Sequence, residues 1–351
     1  MKIPNLAIYA LSLAFAATLG ACSSAVPASS PLESAALTQA ALLRGQHPEL
    51  ATLPGLRSRL MHAHAHTQGG RPVQPGVVFP TNGVVWIADS GSNMVWRCTN
   101  PGTLTCVPKA GLGWNEPQGM AADAINRVYV ADTANSRVVR LSPSGGTPHA
   151  FADPGYYPVG VAVATNGVVC ATNIFSTAGT QGSIECYQGT NSWSICCGMY
   201  EYYFDAFDSA GNLYADGYDS SGNVQVEEIA NAAGGSTAEV NSGITSISFP
   251  GGMQVRLIAP HYLLIDDQNG HDIQQFILPG YGAGTPASFP LSGTSDIVDF
   301  GLKPGDLNLW GGDAGNQTGN AYGDPTGAVH YALSNGFIMP EGEVYTPYGQ
   351  Y

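Results

Sequence analysis

One short segment recurs six times along this chain, and its spacing limits the fold more than any other feature. Each copy is a run of apolar residues that ends in a small or acidic residue. Successive copies are 40 to 50 residues apart, a period typical of proteins built from one repeated supersecondary unit. The copies are residues 84–89, 127–132, 168–172, 212–216, 262–266 and 307–313.

Each period contains enough residues for four short antiparallel strands. An apolar segment and a tight turn precede the recurring strand, as at residues 117–123 and 158–167, and a third strand follows it, as at 136–141. The chain has 45 Gly and 24 Pro, which favours many turns between short strands. Four strands per period predict an all-β fold, a six-bladed β-propeller of four-stranded antiparallel blades. A pair of β-sandwiches or a β-helix is the alternative.

Two of the copies resemble the NHL repeat. Residues 117–123 (Pro-Gln-Gly-Met-Ala-Ala-Asp) and 128–138 (Val-Tyr-Val-Ala-Asp-Thr-Ala-Asn-Ser-Arg-Val) are similar to it nearly residue for residue, and residues 88–95 are a second good copy. The other four copies are degenerate. The resemblance covers residues 76–351 and implies a six-bladed propeller. Closure of such a ring normally pairs strands from both termini, so we expect residues 342–348 to complete the blade that holds the first repeat.

The first residues resemble the signal peptide of a bacterial lipoprotein. Lys2 precedes an apolar stretch at residues 6–19 that is too short for a membrane span, and Leu19-Gly20-Ala21-Cys22 resembles a lipobox. The resemblance implies cleavage before Cys22 and its acylation, with fatty acids such as palmitate, as a membrane anchor. We therefore expect an exported protein anchored to the cell envelope, at the outer membrane in a Gram-negative host. An ordinary cleaved signal peptide is the alternative.

The predicted organisation is a signal peptide at 1–21, the lipidated cysteine and a flexible tether at 22–75, and the propeller at 76–351. The tether is rich in Ser, Pro and Gly, with one short Ala/Leu-rich stretch at 34–43. His62, His64 and His66 alternate within it and would share one face of a strand. No nearby Cys or carboxylate completes a tetrahedral zinc site, so we expect adventitious metal binding or none.

Six cysteines remain besides Cys22, an even number in an exported protein, and this favours disulfides. Cys98 and Cys106 flank a turn and are predicted to bond across a hairpin. Cys186 stands in a similar relation to Cys196 and Cys197, and Cys170 would then bond to whichever of that pair is left. The alternatives are free thiols or a thiolate metal site.

The candidate site residues are acids that end the recurring strands. Propellers bind ligands at the mouth of the central channel, where equivalent loops of several blades converge. Converging carboxylates would suit Ca²⁺, which takes six to eight oxygen ligands. The other interpretation is structural, because in NHL-like repeats this Asp fixes a turn, and Asp132 with Asn135 and Arg137 fits that role. The metal candidates are Asp89, Asp132, Asp216, Asp266 and Asp313.

Charge and motifs leave two classes of function open. From residue 77 onward there are 7 Lys and Arg against 24 Asp and Glu, which excludes a nucleic-acid partner. No nucleophile elbow, Walker loop or His-Glu-x-x-His motif is present. We therefore expect a monomeric binding or scaffold module for a protein or glycan partner. The alternative is a lactonase-like hydrolase or a lyase with a divalent ion in the channel, an interpretation that rests on analogy of fold.

Overall fold

The computed structural model describes the repeat region and omits the first 82 residues. The described residues are 83–99, 105–109, 113–152, 157–174, 181–196, 198–257, 259–291, 297–302, 309–314, 318–323, 328–333 and 337–347. The predicted signal peptide, Cys22, the tether with its three histidines, and Cys197 lie outside these ranges. No helix among the described residues has the length and apolar character needed to cross a membrane.

The described part of the chain is all-β and contains 24 strands. In chain order they are β1 (Gly83–Asp89), β2 (Met94–Thr99), β3 (Thr105–Pro108), β4 (Pro117–Ala122), β5 (Val128–Asp132), β6 (Arg137–Leu141), β7 (His149–Ala152), β8 (Pro158–Val163), β9 (Val169–Asn173), β10 (Ser183–Gln188), β11 (Asn191–Cys196), β12 (Glu201–Phe207), β13 (Leu213–Tyr218), β14 (Val224–Ile229), β15 (Glu239–Asn241), β16 (Pro250–Arg256), β17 (Tyr262–Asp267), β18 (Asp272–Ile277), β19 (Gly282–Pro290), β20 (Ile297–Leu302), β21 (Leu309–Asp313), β22 (Thr318–Gly323), β23 (Ala328–Leu333) and β24 (Pro340–Pro347).

These strands form six four-stranded sheets, each antiparallel throughout. Blade A has the order β24-β1-β2-β3, and blades B to F are β4–β7, β8–β11, β12–β15, β16–β19 and β20–β23. The innermost strands contact one another in turn, and β20 of blade F contacts β24 of blade A, so the sheets form a closed ring. The prediction of an all-β propeller with four-stranded antiparallel blades is confirmed.

The recurring segment of the sequence is the second strand of every blade. The six copies correspond to β1, β5, β9, β13, β17 and β21, and every described residue of β1, β5 and β9 is buried. Both faces of these strands lie against neighbouring blades, so they are continuously apolar rather than alternating. The outermost strands face solvent, and three of the four residues of β3 are exposed.

The ring closes through the two ends of the described chain. β24 pairs with β1 over the whole of β1, from Gly83 opposite Pro347 to Asp89 opposite Pro340. The expected closing strand, residues 342–348, is thereby confirmed and extended by two residues at its start. The last strand of the chain is the innermost strand of the first blade.

Two disulfides link neighbouring strands within single blades. Cys98 bonds to Cys106 with an S–S distance of 2.04 Å, as predicted. The predicted bond from Cys186 to Cys196 or Cys197 is wrong, because Cys186 bonds to Cys170 instead, at 2.00 Å. The ladder explains the choice: Cys170 stands directly opposite Cys186, whereas on β11 the residue opposite Cys186 is Trp193. Cys196 is also disulfide-bonded. Disulfides indicate an extracytoplasmic location.

A bulge near the start of each inner strand brings neighbouring blades into close contact. In β4 the register shifts between Pro117 and Met120, and the other inner strands shift at the equivalent place. Gly119 lies in this bulge, and a Cβ there would collide with the carbonyl oxygen of Val159 in the next blade. The same close approach occurs at three further bulge glycines, namely Gly160, Gly252 and Gly342.

We predict that Gly119→Ala destabilises the propeller by about 1–3 kcal/mol, the usual cost of an extra methyl group in a packed interface. The neighbouring carbonyl is backbone and cannot move aside by a side-chain rotation. Gly282→Ala is the matched control, because nothing lies within 4 Å of a Cβ at Gly282. Chemical denaturation of the two variants measures the difference. Equal stability of both variants would contradict the close-contact explanation.

Candidate functional site

The structure corrects the alignment of the five candidate acids. Asp89, Asp132 and Asp313 each stand opposite the residue that directly precedes the bulge of their inner strand, in the pairs Asp89–Pro340, Asp132–Pro117 and Asp313–Ile297. In blades D and E that ladder position belongs to Gly217 and Asp267. Asp216 and Asp266 come one residue earlier, so their side chains point to the opposite face of the blade.

The acids at the shared ladder position hold the segment that leads into the inner strand. Asp89 accepts a hydrogen bond from the Met339 amide at 2.7 Å, and Asp132 accepts one from the Asn115 amide at 2.8 Å. Asp267, which sequence reasoning missed, accepts one from the Phe249 amide at 3.1 Å. A carboxylate that binds backbone N–H groups in this way fixes the connection between blades.

Asp132 also binds two side chains, one of which is a cation. Its carboxylate accepts hydrogen bonds from Asn135 Nδ2 at 2.9 Å and from Arg137 Nε at 2.6 Å. The Arg137 contact is also an ion pair. The structural interpretation of Asp132, with Asn135 and Arg137 as its partners, is confirmed.

The five candidate acids do not converge on one point. Across the described ranges, no group of three or more His, Cys, Asp or Glu side chains is arranged to hold a metal ion. The expectation of a channel metal site made by Asp89, Asp132, Asp216, Asp266 and Asp313 is therefore wrong. The expectation fails because Asp216 and Asp266 lie one residue before the shared ladder position, and because acids such as Asp89 and Asp132 hold the connections between blades.

A different set of acids lies in the interior of the ring. Asp205 on β12 and Glu343 on β24 occupy the same ladder position of blades D and A, three residues after the start of the bulge. The other four blades have an apolar residue there, and all four are buried. These residues are Met120, Val161, Met253 and Phe300. In a ring of six sheets, blades A and D face each other across the axis.

These two interior acids are buried without a compensating charge. Asp205 is 5% exposed and Glu343 is 1% exposed, and neither carboxyl has a hydrogen-bond partner among the described residues. Burial raises the pKa of Asp205 well above its usual value, and the neighbouring Asp216 and Asp299 raise it further. Burial, followed by the charge of Asp299, raises the pKa of Glu343 in the same way. No Lys or Arg is buried in the described part of the chain.

Sequence reasoning missed Asp205 and Glu343 because the degenerate repeats hid their register. The available signal was a charged residue at a position where the well-preserved repeat has Met120. Such a group favours its neutral form in an apolar interior. The interior therefore binds protons more readily than an exposed acidic surface does.

The outer surface of blades C and D is acidic without any basic residue. Residues 141–255 contain 10 Asp and Glu and no Lys or Arg. Five of these acids are partly exposed to solvent: Glu185, Asp208, Asp219, Glu228 and Glu239. The basic residues of the described part lie on the other blades, where three of them, Arg97, Arg140 and Arg256, stack on aromatic rings of their own blade.

Two of the surface acids are held rigidly in hairpin turns. The Oδ1 atom of Asp208 accepts hydrogen bonds from the amides of Ala210 at 2.8 Å and Asn212 at 2.9 Å. Asp219 makes the same pair of contacts with Ser221 and Asn223. These turns fix the carboxylates at the surface at no further entropic cost, which favours a partner that binds to a preformed charge pattern.

Comparison with known proteins supports the fold and does not identify a family. Neither a protein family nor a curated protein matches the sequence. A chain of the crystal structure of a nidogen/laminin complex has a TM-score of 0.62 and 16% identity, and the match covers 75% of this chain and 98% of that one.

Two lyase structures are also similar. Catalytically inactive virginiamycin B lyase from Staphylococcus aureus with quinupristin has a TM-score of 0.51 and 14% identity, covering 79% of this chain and 96% of that one. A streptogramin B lyase has a TM-score of 0.53 and 13% identity, covering 78% and 91%. At these identities the likeness shows a shared β-propeller fold, within which some proteins bind partners and others are enzymes.

We predict that Asp205→Asn stabilises the protein at pH 8 and has little effect at pH 4. Because the pKa of Asp205 is higher in the folded than in the unfolded protein, protonation of this carboxyl stabilises the fold. That stabilisation is fully present near pH 4 and is lost as the pH rises. The amide does not titrate, so the variant escapes this loss. Thermal unfolding at both pH values measures the difference in stability between the variant and the wild type. A difference of about 1 kcal/mol moves the unfolding midpoint by roughly 2–4 °C in domains of comparable size.

Asp132→Asn is the control for this prediction, because Asp132 is paired with Arg137. We expect that variant to be destabilised at pH 8. A destabilised Asp205→Asn at pH 8 would show that the interior carboxyl has a partner that stabilises its charged form.

Proposed function

We propose that this chain is a lipid-anchored, six-bladed propeller of the NHL type that acts as a binding module for a protein partner with a cationic surface. The observation that carries the proposal is the one-sided charge of blades C and D, with five partly exposed acids and no Lys or Arg from residue 141 to 255. A surface of one charge sign accelerates and selects partners of the opposite sign.

The rigid form of this surface also supports binding. Asp208 and Asp219 are fixed in their turns, and the Cys170–Cys186 disulfide ties the two middle strands of blade C, β9 and β10, together. A surface of this kind loses little conformational entropy when a partner binds. A protein partner fits these features better than a glycan, because carboxylates pair directly with Lys and Arg side chains.

The enzyme alternative has less support from the described residues. A lactonase-like hydrolase or a metal-dependent lyase would need a set of grouped ligands, and the described ranges contain no such group of His, Cys, Asp and Glu. The lyase structures are similar at 13–14% identity, which extends to the fold and not to the reaction.

The anchoring part of the proposal rests on residues 19–22 and on the disulfides. The lipobox-like Leu-Gly-Ala-Cys sequence supports acylation of Cys22, and the disulfides indicate an oxidising compartment. A tether of about 50 residues would then separate the propeller from the membrane, which gives its acidic blades room to meet a partner.

We predict that Cys22→Ala abolishes incorporation of labelled palmitate and releases the protein from the membrane fraction, because no acyl chain can then be attached. Expression in a bacterial host, followed by fractionation and labelling, measures both effects. Cys98→Ala with Cys106→Ala is the control, since it removes two cysteines and leaves the anchor. Membrane retention of the Cys22→Ala protein would contradict anchoring through this residue.

We predict that Asp208→Asn with Asp219→Asn weakens binding of a fluorescent oligo-lysine peptide roughly two- to thirtyfold at low salt, since each exposed charge pair contributes about 0.2–1 kcal/mol. Asparagine keeps the turn, because its side-chain oxygen still accepts the backbone hydrogen bonds. Fluorescence anisotropy on the Cys22→Ala chain measures the dissociation constants.

Asp123→Asn is the matched control for the binding experiment. Asp123 forms the same kind of turn, with the amides of Ile125 and Arg127, but lies on blade B beside Arg127. We expect it to leave the affinity nearly unchanged. The control removes one charge and the double variant removes two. An equal loss of binding free energy per removed charge would show that the peptide senses only the net charge, and would remove the support for a binding surface on blades C and D.

A further inference from the structure

A second pair of acids lies where blade C connects to blade D. Glu227 is on β14 and Glu239 begins β15, the outermost strand of blade D. Both face the connecting segment, because a Cβ at Gly198 would collide with the carboxyl oxygens of both residues. A side chain at this position would displace the two carboxyls, whereas glycine lets the backbone lie directly against them.

The pair is tied to the connecting segment by hydrogen bonds. The Gly198 amide donates to Glu239 Oε2 at 2.9 Å. The Tyr202 hydroxyl lies between the two acids, donates to Glu239, and lies 3.4 Å from Glu227 Oε2. The same hydroxyl accepts a hydrogen bond from the Met199 amide at 3.2 Å.

Among the residues that the structure describes, no Lys or Arg balances these carboxyls. Among the groups that face Glu227, β15 provides Glu239, β12 provides Tyr202, and β13 places Ala215 opposite it. Burial, followed by the hydrogen bond to Glu239 and its charge, raises the pKa of Glu227 to about 8. Burial and the two nearby acids also raise the pKa of Tyr202, so its hydroxyl remains a donor.

The strand that the pair holds buries little apolar surface. β15 has three residues, two of them exposed, and its only large apolar side chain, Val240, is 61% exposed. Its partner residues on β14 are Glu227 to Ile229. Because so little apolar surface is buried, the hydrogen bonds around Glu239 are a large share of what fastens this edge.

We propose that Glu227 and Glu239 share one proton in the folded protein and form a proton-operated latch that fastens β15 and the Gly198–Met199 segment to blade D. With the proton present, one carboxyl donates a hydrogen bond to the other. When the proton is lost, the two carboxylates face each other with no Lys or Arg against them among the described residues, and the edge of blade D opens. The latch shares Glu239 with the acidic surface of the proposed binding function, but hydrogen–deuterium exchange of the chain alone tests it without any partner.

The direction of the pH effect follows from the folded and unfolded states. A carboxyl that binds its proton more tightly when folded stabilises the closed edge fully below the unfolded pKa of about 4.5. That stabilisation falls as the pH rises, until the folded pKa of about 8 is passed. Opening therefore increases between pH 5 and pH 8, by up to roughly tenfold per pH unit.

Hydrogen–deuterium exchange of the full chain with Cys22→Ala tests the latch. Protection of peptides that cover residues 198–202 and 239–242 is measured at pH 5, 6.5 and 8, after correction for the intrinsic rate. Peptides from β5 and β6 in blade B serve as the internal reference. We expect a loss of protection of tenfold or more at the latch between pH 5 and pH 8, and none in blade B.

Glu227→Gln identifies the residue that carries the effect, because an amide still donates to Glu239 and cannot ionise. We expect its protection to be independent of pH across this range and equal to the wild-type value at pH 5. Glu228→Gln, the neighbour on the opposite face of β14, is the control and should behave as the wild type does.

Two results would overturn the proposal. One is a wild-type chain in which the exchange protection of residues 198–202 and 239–242 depends on pH no more than that of blade B. This measurement needs no variant, so it does not depend on whether a substitution at Glu227 folds. The other is a Glu227→Gln chain that folds and keeps the wild-type pH profile, which would place the titrating group elsewhere.

Discussion

The pairing of β24 with β1 is the constraint on which the rest of the propeller depends. A blade whose faces are both apolar is stable only between two other blades, so an open row of sheets would leave its two ends exposed. This ladder covers all seven residues of β1 and makes the last strand of the chain the innermost strand of blade A. Closure then fixes how closely neighbouring inner strands approach each other. The bulge glycines, such as Gly119, are small enough for this close approach.

Much of this architecture follows from the sequence because it depends on period and apolarity. The six recurring segments are all second strands, the tail closes blade A, and Cys98 bonds to Cys106. Ladder position is a finer property, since a shift of one residue reverses the face of a side chain. The repeats of blades D and E are degenerate, so their pattern aligns Asp216 and Asp266 with Asp89. The strand register places both one residue before the equivalent position, which in blade E belongs to Asp267.

The interior and junction acids escaped prediction for a different physical reason. Asp205 and Glu343 are 138 residues apart, and Glu227 meets Gly198 only because blade C stands beside blade D. Such neighbours depend on ring closure and on no local pattern. The Cys170–Cys186 bond shows the same limit at short range. Only the strand register shows that Cys186 stands opposite Trp193 on β11, and not opposite a cysteine there, while Cys170 stands opposite it on β9.

The buried and exposed acids have opposite relations to protons. The hydrogen bond from the Asn223 side chain, followed by those from backbone N–H groups, lowers the pKa of the exposed Asp219. Asp205, Glu343 and Glu227 face other acids without a base, and burial favours their neutral form. Asp219 therefore keeps its negative charge in mildly acidic conditions in which the interior acids are protonated. Such conditions would strengthen the ring and the edge of blade D while this carboxylate, on the surface that the proposed partner would meet, stays charged.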